Sequence, residues 1–486
     1  MSGDEVSNTK EVAVSKFEPT WNSLSQYTMP AWLRDAKFGI YTHWGPYTVP
    51  AYGANGTWYG NRMYDKTSPY HRHHLKTYGD PKEFGYKDLI PQLTAEKFDA
   101  EEWAQLFKAS GARFAGPVAI HHDNFAMWDS KVNPWNAMAM GPKRDVTGEL
   151  EKAIKGQGMK FLTTFHHAFN WWFFNKSEEF DTLDPAAEGL YSRRKKDADL
   201  PDEKYLKDWY DQVIEVIDGY DPDMLWFDFG LGKIPERYRK HFLADYYNRA
   251  DKAGKEVTVA YKAMDESFHL SPLTGLFDLE VGKMNDLTPY TWLSDTCVDA
   301  GPGGCWSHVR GIGYKSSERL IHNLIDRVSK NGYLLLNVGP RADGTIPQPA
   351  QDCLREMGQW LAINGEAIYG TVPWLVYGEG PTKTEGGSHF NENNEARFTS
   401  QDIRYTCKGD ALYITALGRP AELLTCPRLA ACNQLHPDDI LKIEMLGGEG
   451  AALKYVLNED GLSIEVPEVV PSSVAVSFKL TMRNEI

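Results

Sequence analysis

From residue 30 to about 340, short apolar runs rich in β-branched and aromatic residues alternate with stretches whose apolar positions recur at helical spacing. That alternation is the pattern of a parallel βα series. The runs share one feature: each ends in a polar residue. FGIYT leads into His43, RFAGPVAI into His121 and His122, KFLTTF into His166 and His167, MLWF into Asp228, and VTVAY into Lys262, while YLLLN ends on Asn337. Between them, Leu206, Trp209, Val213, Val216 and Ile217 keep the period of a helix with one buried face. The expected fold is α/β, a (β/α)8-type barrel whose polar strand ends gather on the C-terminal face, where such barrels keep their sites. WLAINGEAIYG reads as the last barrel helix, and GEGPTKTEGGSHFNENNEARF as a linker or long loop. Beyond it, strict apolar–polar alternation broken by KGD and NEDG predicts a small antiparallel β-sandwich. The expected division is a flexible segment 1–20, a barrel 21–375 and a C-terminal β-sandwich 376–486.

Composition narrows the partners. A net charge of -15 with no basic stripe argues against nucleic acid or an anionic membrane, and no apolar run is long enough to span a bilayer. The six cysteines show neither CxxC pairing nor zinc spacing, and the polar N-terminus has no apolar signal core, so the compartment stays open between cytoplasmic and, after removal of a signal peptide, exported. Fifteen Trp, 25 Tyr and 21 Phe supply many flat apolar faces, most of them expected in the cores.

Asp228 stands between Phe227 and Phe229. An ionised carboxylate is costly to bury unless paired, so this run should end at a polar site, with Asp228 facing a cleft and both phenylalanines facing the helices. Metal chelation is disfavoured, because the histidines come as adjacent pairs and neighbouring strand residues point to opposite faces. On the same ground His167 should point away from His166. Glycoside hydrolysis fits better, since it needs two carboxyl groups, neutral donors for sugar hydroxyls and a flat apolar wall. HRHH at 71–74 reads as a solvated loop.

The segments DAKFGIYTHWGPYTVPAYG, GARFAGPVAIHHDNFAMWDSKVNPWN, MLWFDFG and IDRVSKNGYLLLNVGPRADGTIP together resemble the α-L-fucosidases of glycoside hydrolase family 29, over residues 20 to 375. The resemblance implies a barrel followed by a β-sandwich, a retaining double displacement, no metal or other cofactor, and a fucosylated glycan or glycoside as substrate. It implies Asp228 as nucleophile, with His43, Trp58, His121, His122, His166 and Trp306 binding the sugar. The second carboxyl group is implied at Glu280, in DLEVG, where the family's LERG segment falls. Glu266 in AMDESF is the alternative and Asp295 a third, while Leu293 occupies the position where other subgroups carry the acid. Two departures stand out: Val281 replaces an Arg, and Thr57 replaces a Glu that contacts a fucose hydroxyl. They leave open an α-L-galactosidase or an inactive sugar-binding relative.

Overall fold

A computed structural model describes residues 15–262, 269–384, 386–392, 397–430 and 435–485. Eight parallel strands form the centre: β1 (Phe38–Thr42), β2 (Phe114–Ile120), β3 (Lys160–Phe165), β4 (Met224–Phe227), β5 (Thr258–Lys262), β6 (Leu276–Asp278), β7 (Trp292–Cys297) and β8 (Gly332–Val338). Each pairs with the next, and β8 pairs with β1 to close the barrel. Strand alternation divides the side chains cleanly. Met224, Trp226 and Ala260 pack inside with Tyr41, Leu162 and Leu335, while Leu225, Phe227, Val259 and Tyr261 pack outward against the helices. β6 and β7 have no clear apolar run to announce them. β6 has only three residues, and β7 carries Ser294, Asp295 and Thr296 in its middle.

The surrounding helices are Ala100–Ala109, Val146–Gly156, Glu203–Tyr220, Glu236–Lys252, Ser317–Ser329 and Gln348–Asn364. Helix Glu203–Tyr220 starts at an Asp202 side-chain cap and buries the five residues its periodicity singled out. Among the described residues no helix lies between β5 and β6 or between β6 and β7. HRHH is helical, not a loop: it lies in Pro69–Thr77, capped by Ser68, and His71 and His74 are buried with ring nitrogens on the carbonyls of Met63 and Phe84. Polar composition suggested solvent, but those backbone acceptors satisfy the rings.

The C-terminal region forms two antiparallel sheets. One takes the order β13-β16-β11-β10-β9 and the other β12-β15-β14, where β9 is Val372–Glu379, β10 Ile403–Lys408, β11 Ala411–Ala416, β12 Leu423–Cys426, β13 Ile440–Met445, β14 Tyr455–Asn458, β15 Gly461–Glu465 and β16 Val476–Met482. Tyr405, Ile414, Leu462, Ile464 and Phe478 build their shared core. The first strand of this sheet begins at Val372, ahead of the boundary expected at 376. The five-stranded sheet docks on the last two barrel helices through Arg404 Nε to Asp326 (2.7 Å) and Trp360 Nε1 to the Ala475 carbonyl (3.0 Å). Residues 386–392, read as linker, are instead packed on the chain that follows β6, with Lys283 and Ser388 forming an antiparallel bridge.

Candidate active site

The same two-residue period that fills the barrel carries its polar ends into one cleft. Met224 and Trp226 point inward, so Asp228 does too; Ala260 is followed by Lys262, Tyr41 by His43, and Tyr333 and Leu335 by Asn337. On β2 the pattern needs a correction. Val118 pairs with Thr164 but Ile120 with Phe165, so one extra residue bulges from the strand, and Ala119 and Ile120 both pack outward. After that bulge His121 and His122 both reach the cleft, which a regular strand would forbid. His167 lies against Trp209 on the outer helix, away from His166, as the alternation predicts.

Lys262 is the centre of the charge arrangement. Its Nζ lies 3.1 Å from Asp228 Oδ1, 3.1 Å from Glu280 Oε2 and 3.2 Å from Asp295 Oδ2. Tyr41 donates to the same Asp295 oxygen at 2.8 Å. Burial alone would push the Asp228 carboxyl up, but Lys262 and the His122 ring, 3.2 Å from Oδ2, outweigh it and hold the group below the usual carboxylate range. Glu280 goes the other way. Burial, reinforced by Asp295 and Asp228, overcomes Lys262 and pushes its carboxyl up to about 8. Asp278 is also driven well up, by burial and by Asp295.

The histidines form a linked set. His43 Nδ1 donates to Asn337 Oδ1 at 2.8 Å, which leaves Nε2 to accept from His166 Nε2 at 3.2 Å. His122 faces an acceptor at each ring nitrogen, the His166 carbonyl at 2.6 Å from Nδ1 and Asp228 Oδ2 at 3.2 Å from Nε2. Burial lowers His43 to about 3, and burial together with neighbouring rings lowers His121 and His166 well below the ordinary imidazole range. Ring nitrogens of His43, His121 and His166 lie within 4.8 Å of one another, a convergence from three strands that an argument about adjacent pairs does not detect.

An apolar wall completes the cleft. Trp58 packs on Phe173, Phe169 and the His122 ring, and its plane parallels that of Phe229. Phe229 therefore faces the cleft and not the helices; the strand ends at Phe227, and its alternation carries one residue further, to Asp228, and stops there. Trp306, whose backbone has a positive φ of 61°, places its ring 5.4 Å from His43 and 5.3 Å from Lys262 Nζ. Thr57 spends its hydroxyl on Asn55 Oδ1 at 2.8 Å. Lys262 ends a strand in the sequence, a visible signal, yet its place as the shared partner of three acids is hidden there, because Asp295 sits on β7 and Glu280 two residues past β6, strands without apolar runs. Glu266 lies outside the described residues.

A barrel whose C-terminal face holds one carboxyl kept ionised and another kept protonated, beside neutral imidazoles and an aromatic wall, has the equipment of the glycoside hydrolases. Comparison with known proteins narrows that class. The chain belongs to the alpha-L-fucosidase family, whose model matches residues 5–366. It is 31% identical over 468 residues to human plasma alpha-L-fucosidase, covering 94% of this chain and 90% of that protein. Human tissue alpha-L-fucosidase is 30% identical over 475 residues, covering 96% and 91%. The crystal structure of Thermotoga maritima alpha-fucosidase in complex with fucose superposes with a TM-score of 0.76 at 30% identity, covering 96% of this chain and all of that one.

Proposed function

We propose that the protein is an exo-acting, retaining α-L-fucosidase in which Asp228 is the nucleophile and Glu280 the acid/base. The observation that carries this reading is the shared ammonium. Two oxygens that each lie 3.1 Å from Lys262 Nζ are at most about 6.2 Å apart. That ceiling admits the roughly 5 to 5.5 Å of a retaining pair and falls short of the roughly 6.5 to 9.5 Å an inverting pair needs for its water. Protonation supports the same division of labour, since at neutral pH Asp228 is an anion and Glu280, near 8, holds the proton a leaving oxygen requires.

In the first step an Asp228 oxygen forms a bond to the anomeric carbon while the glycosidic C–O bond breaks and Glu280 passes its proton to the departing oxygen. In the second, Glu280 takes a proton from water, the hydroxide oxygen bonds to the anomeric carbon and Asp228 leaves with its electron pair. Asp228 Oδ1 has an ion contact but no aligned hydrogen bond, which leaves a lone pair available for attack. Neutral His43, His121 and His166 suit sugar hydroxyls, and Trp306 closes the cleft over His43 and Lys262. Trp58, Phe173 and Phe229 offer a surface for the methyl group of a 6-deoxy sugar. An α-L-galactoside would set a hydroxyl there, and an apolar pocket discriminates against such an addition by roughly a hundredfold. Comparing kcat/KM for aryl α-L-fucoside and aryl α-L-galactoside tests this, and equal values would overturn the fucose reading. For the acid/base, Glu280→Ala with azide should give a fucosyl azide; a fully active variant would remove Glu280 from the role.

One observation favours a second reading, a metal held by the His43, His121 and His166 rings. The His43–His166 contact counts against it, because one nitrogen there donates to the other and neither is open to an ion. Activity lost on chelation and restored by a divalent metal would decide for the metal.

A further inference from the structure

The segment after β9 that looks like a linker returns to the barrel and grips the chain around Glu280. His389 Nδ1 accepts the Glu280 N–H at 2.9 Å, and the Glu280 carbonyl accepts from the Phe390 N–H at 2.8 Å. The next residue is held from both sides: the Val281 N–H donates to the Asp295 carbonyl at 2.8 Å, and its carbonyl accepts from the Glu392 N–H at 3.0 Å. Val281 has a φ of 45°, in the left-handed region that a β-branched residue adopts only when its surroundings over-determine it. Two glycines allow the approach. A Cβ at Gly282 would stand 2.7 Å from the Ser388 carbonyl, and one at Gly386 2.7 Å from the Lys283 carbonyl.

This grip is anchored at Glu392, which is fully buried. Its carboxylate takes Lys315 Nζ at 2.8 Å and Arg327 Nη2 at 3.0 Å. Lys315 also reaches Thr296 Oγ1 at 2.7 Å, next to Asp295 on β7, and Arg327 reaches the Gly282 carbonyl at 2.9 Å. The anchor is thus tied to both walls around Glu280. No described helix connects β5 to β6 or β6 to β7, and the C-terminal segment packs on the chain that follows β6.

We propose that residues 386–392 form a strap whose task is to position the Glu280 carboxyl, with His389 and Glu392 as positioning residues. The proposal rests on the reading of Glu280 as acid/base. A misplaced acid slows substrates in proportion to how much their leaving group needs a proton. The test uses the full chain and two substrates: phenyl α-L-fucoside, whose leaving oxygen needs protonation, and α-L-fucosyl fluoride, whose leaving group needs little. His389→Leu removes the acceptor for the Glu280 N–H, and Gly282→Ala drives Ser388 away. Each should lower kcat/KM on the phenyl substrate about tenfold or more, with less than about a threefold change in kcat/KM on the fluoride, because kcat/KM reports the glycosylation step and not the later attack of water that both substrates share. His389→Asn, whose Oδ1 can stand where Nδ1 stands, should recover most of the loss. Equal losses on both substrates, or no loss in His389→Leu, would overturn the strap. His389 is only partly buried, so that variant serves even where a thermal melt shows Gly282→Ala unfolded. Glu280→Ala measured in parallel separates the two readings: if it shows no leaving-group selectivity, the acid/base assignment fails. If it alone is selective, only the strap fails.

Discussion

Among the described residues, the buried charges of the cleft and those at the junction of barrel and sandwich resolve opposite imbalances. In the cleft, the carboxyls of Asp228, Asp278, Glu280 and Asp295 surround Lys262. At the junction of barrel and sandwich, Asp326 and Glu392 meet Lys315, Arg327, Lys330 and Arg404. Where acids outnumber cations, some must keep their protons, and Glu280 rises to about 8. Where cations outnumber acids, burial is overcome: Glu392 falls to about 2 and Asp326 goes lower than the usual carboxylate range. The first arrangement keeps one carboxyl protonated near neutral pH; the second makes a fixed staple. The difference is stoichiometry, because burial is nearly complete in both.

That contrast can be broken most forcefully at Asp228. Asp228→Ala should reduce turnover of an aryl α-L-fucoside by about a thousandfold or more while far-UV circular dichroism stays that of the parent, since the variant removes the carboxylate proposed to form the covalent bond. Residual activity within tenfold of the parent would place the nucleophile elsewhere. Lys262→Met tests the shared cation. It should cost on the order of 3 to 5 kcal/mol of stability by leaving buried acids uncompensated, and it should raise the Asp228 carboxyl, moving the acid limb of kcat/KM to higher pH. An unmoved limb would show that Lys262 does not hold Asp228 down.

At the staple, Glu392→Gln should destabilise by a similar 3 to 5 kcal/mol in denaturant unfolding, because Lys315 and Arg327 then face no anion. A loss under about 1 kcal/mol would remove the staple from the comparison. The smallest effects are those of pH. The Glu392 carboxyl is depressed from 4.5 to about 2, so its contribution, on the order of 3 kcal/mol, is complete above pH 4.5 and is lost as pH falls toward 2. Glu280 is raised, so its contribution is complete below 4.5 and is lost as pH climbs through about 8. Over that same upper range kcat/KM should decline as the acid form disappears, and a plateau extending past pH 9 would contradict the protonated Glu280.

Much of the fold is legible along the chain. The runs ending in His43, His166, Asp228 and Lys262 announce strands, and the two-residue period that makes them strands also sends those residues inward. Other features are hidden for definite reasons. A three-residue β6 cannot display a period, and β7 hides because its inward Asp295 and its polar neighbours break the apolar run that marks a strand. The β2 bulge leaves no mark in the sequence either, since an extra residue is defined only by the partner strand it fails to match. Phe229 departs from the expected side because it lies two residues past the end of β4, where the alternation no longer holds.

The strap shows the same limit more sharply. GGSHFNE has the glycines and polar residues of a solvated linker, and it folds into a tight clamp because its partners, Glu280 to Lys283 and the Lys315 and Arg327 cations, come from distant parts of the chain. The local periods, the family resemblance and the strand that leads into Asp228 are written in the chain itself, because each depends on neighbours within a few residues. Only the tertiary structure decided which acids share Lys262, and therefore which carboxyl keeps its proton. That is a matter of distances and burial summed over groups up to a few hundred residues apart, and no local pattern encodes such a sum.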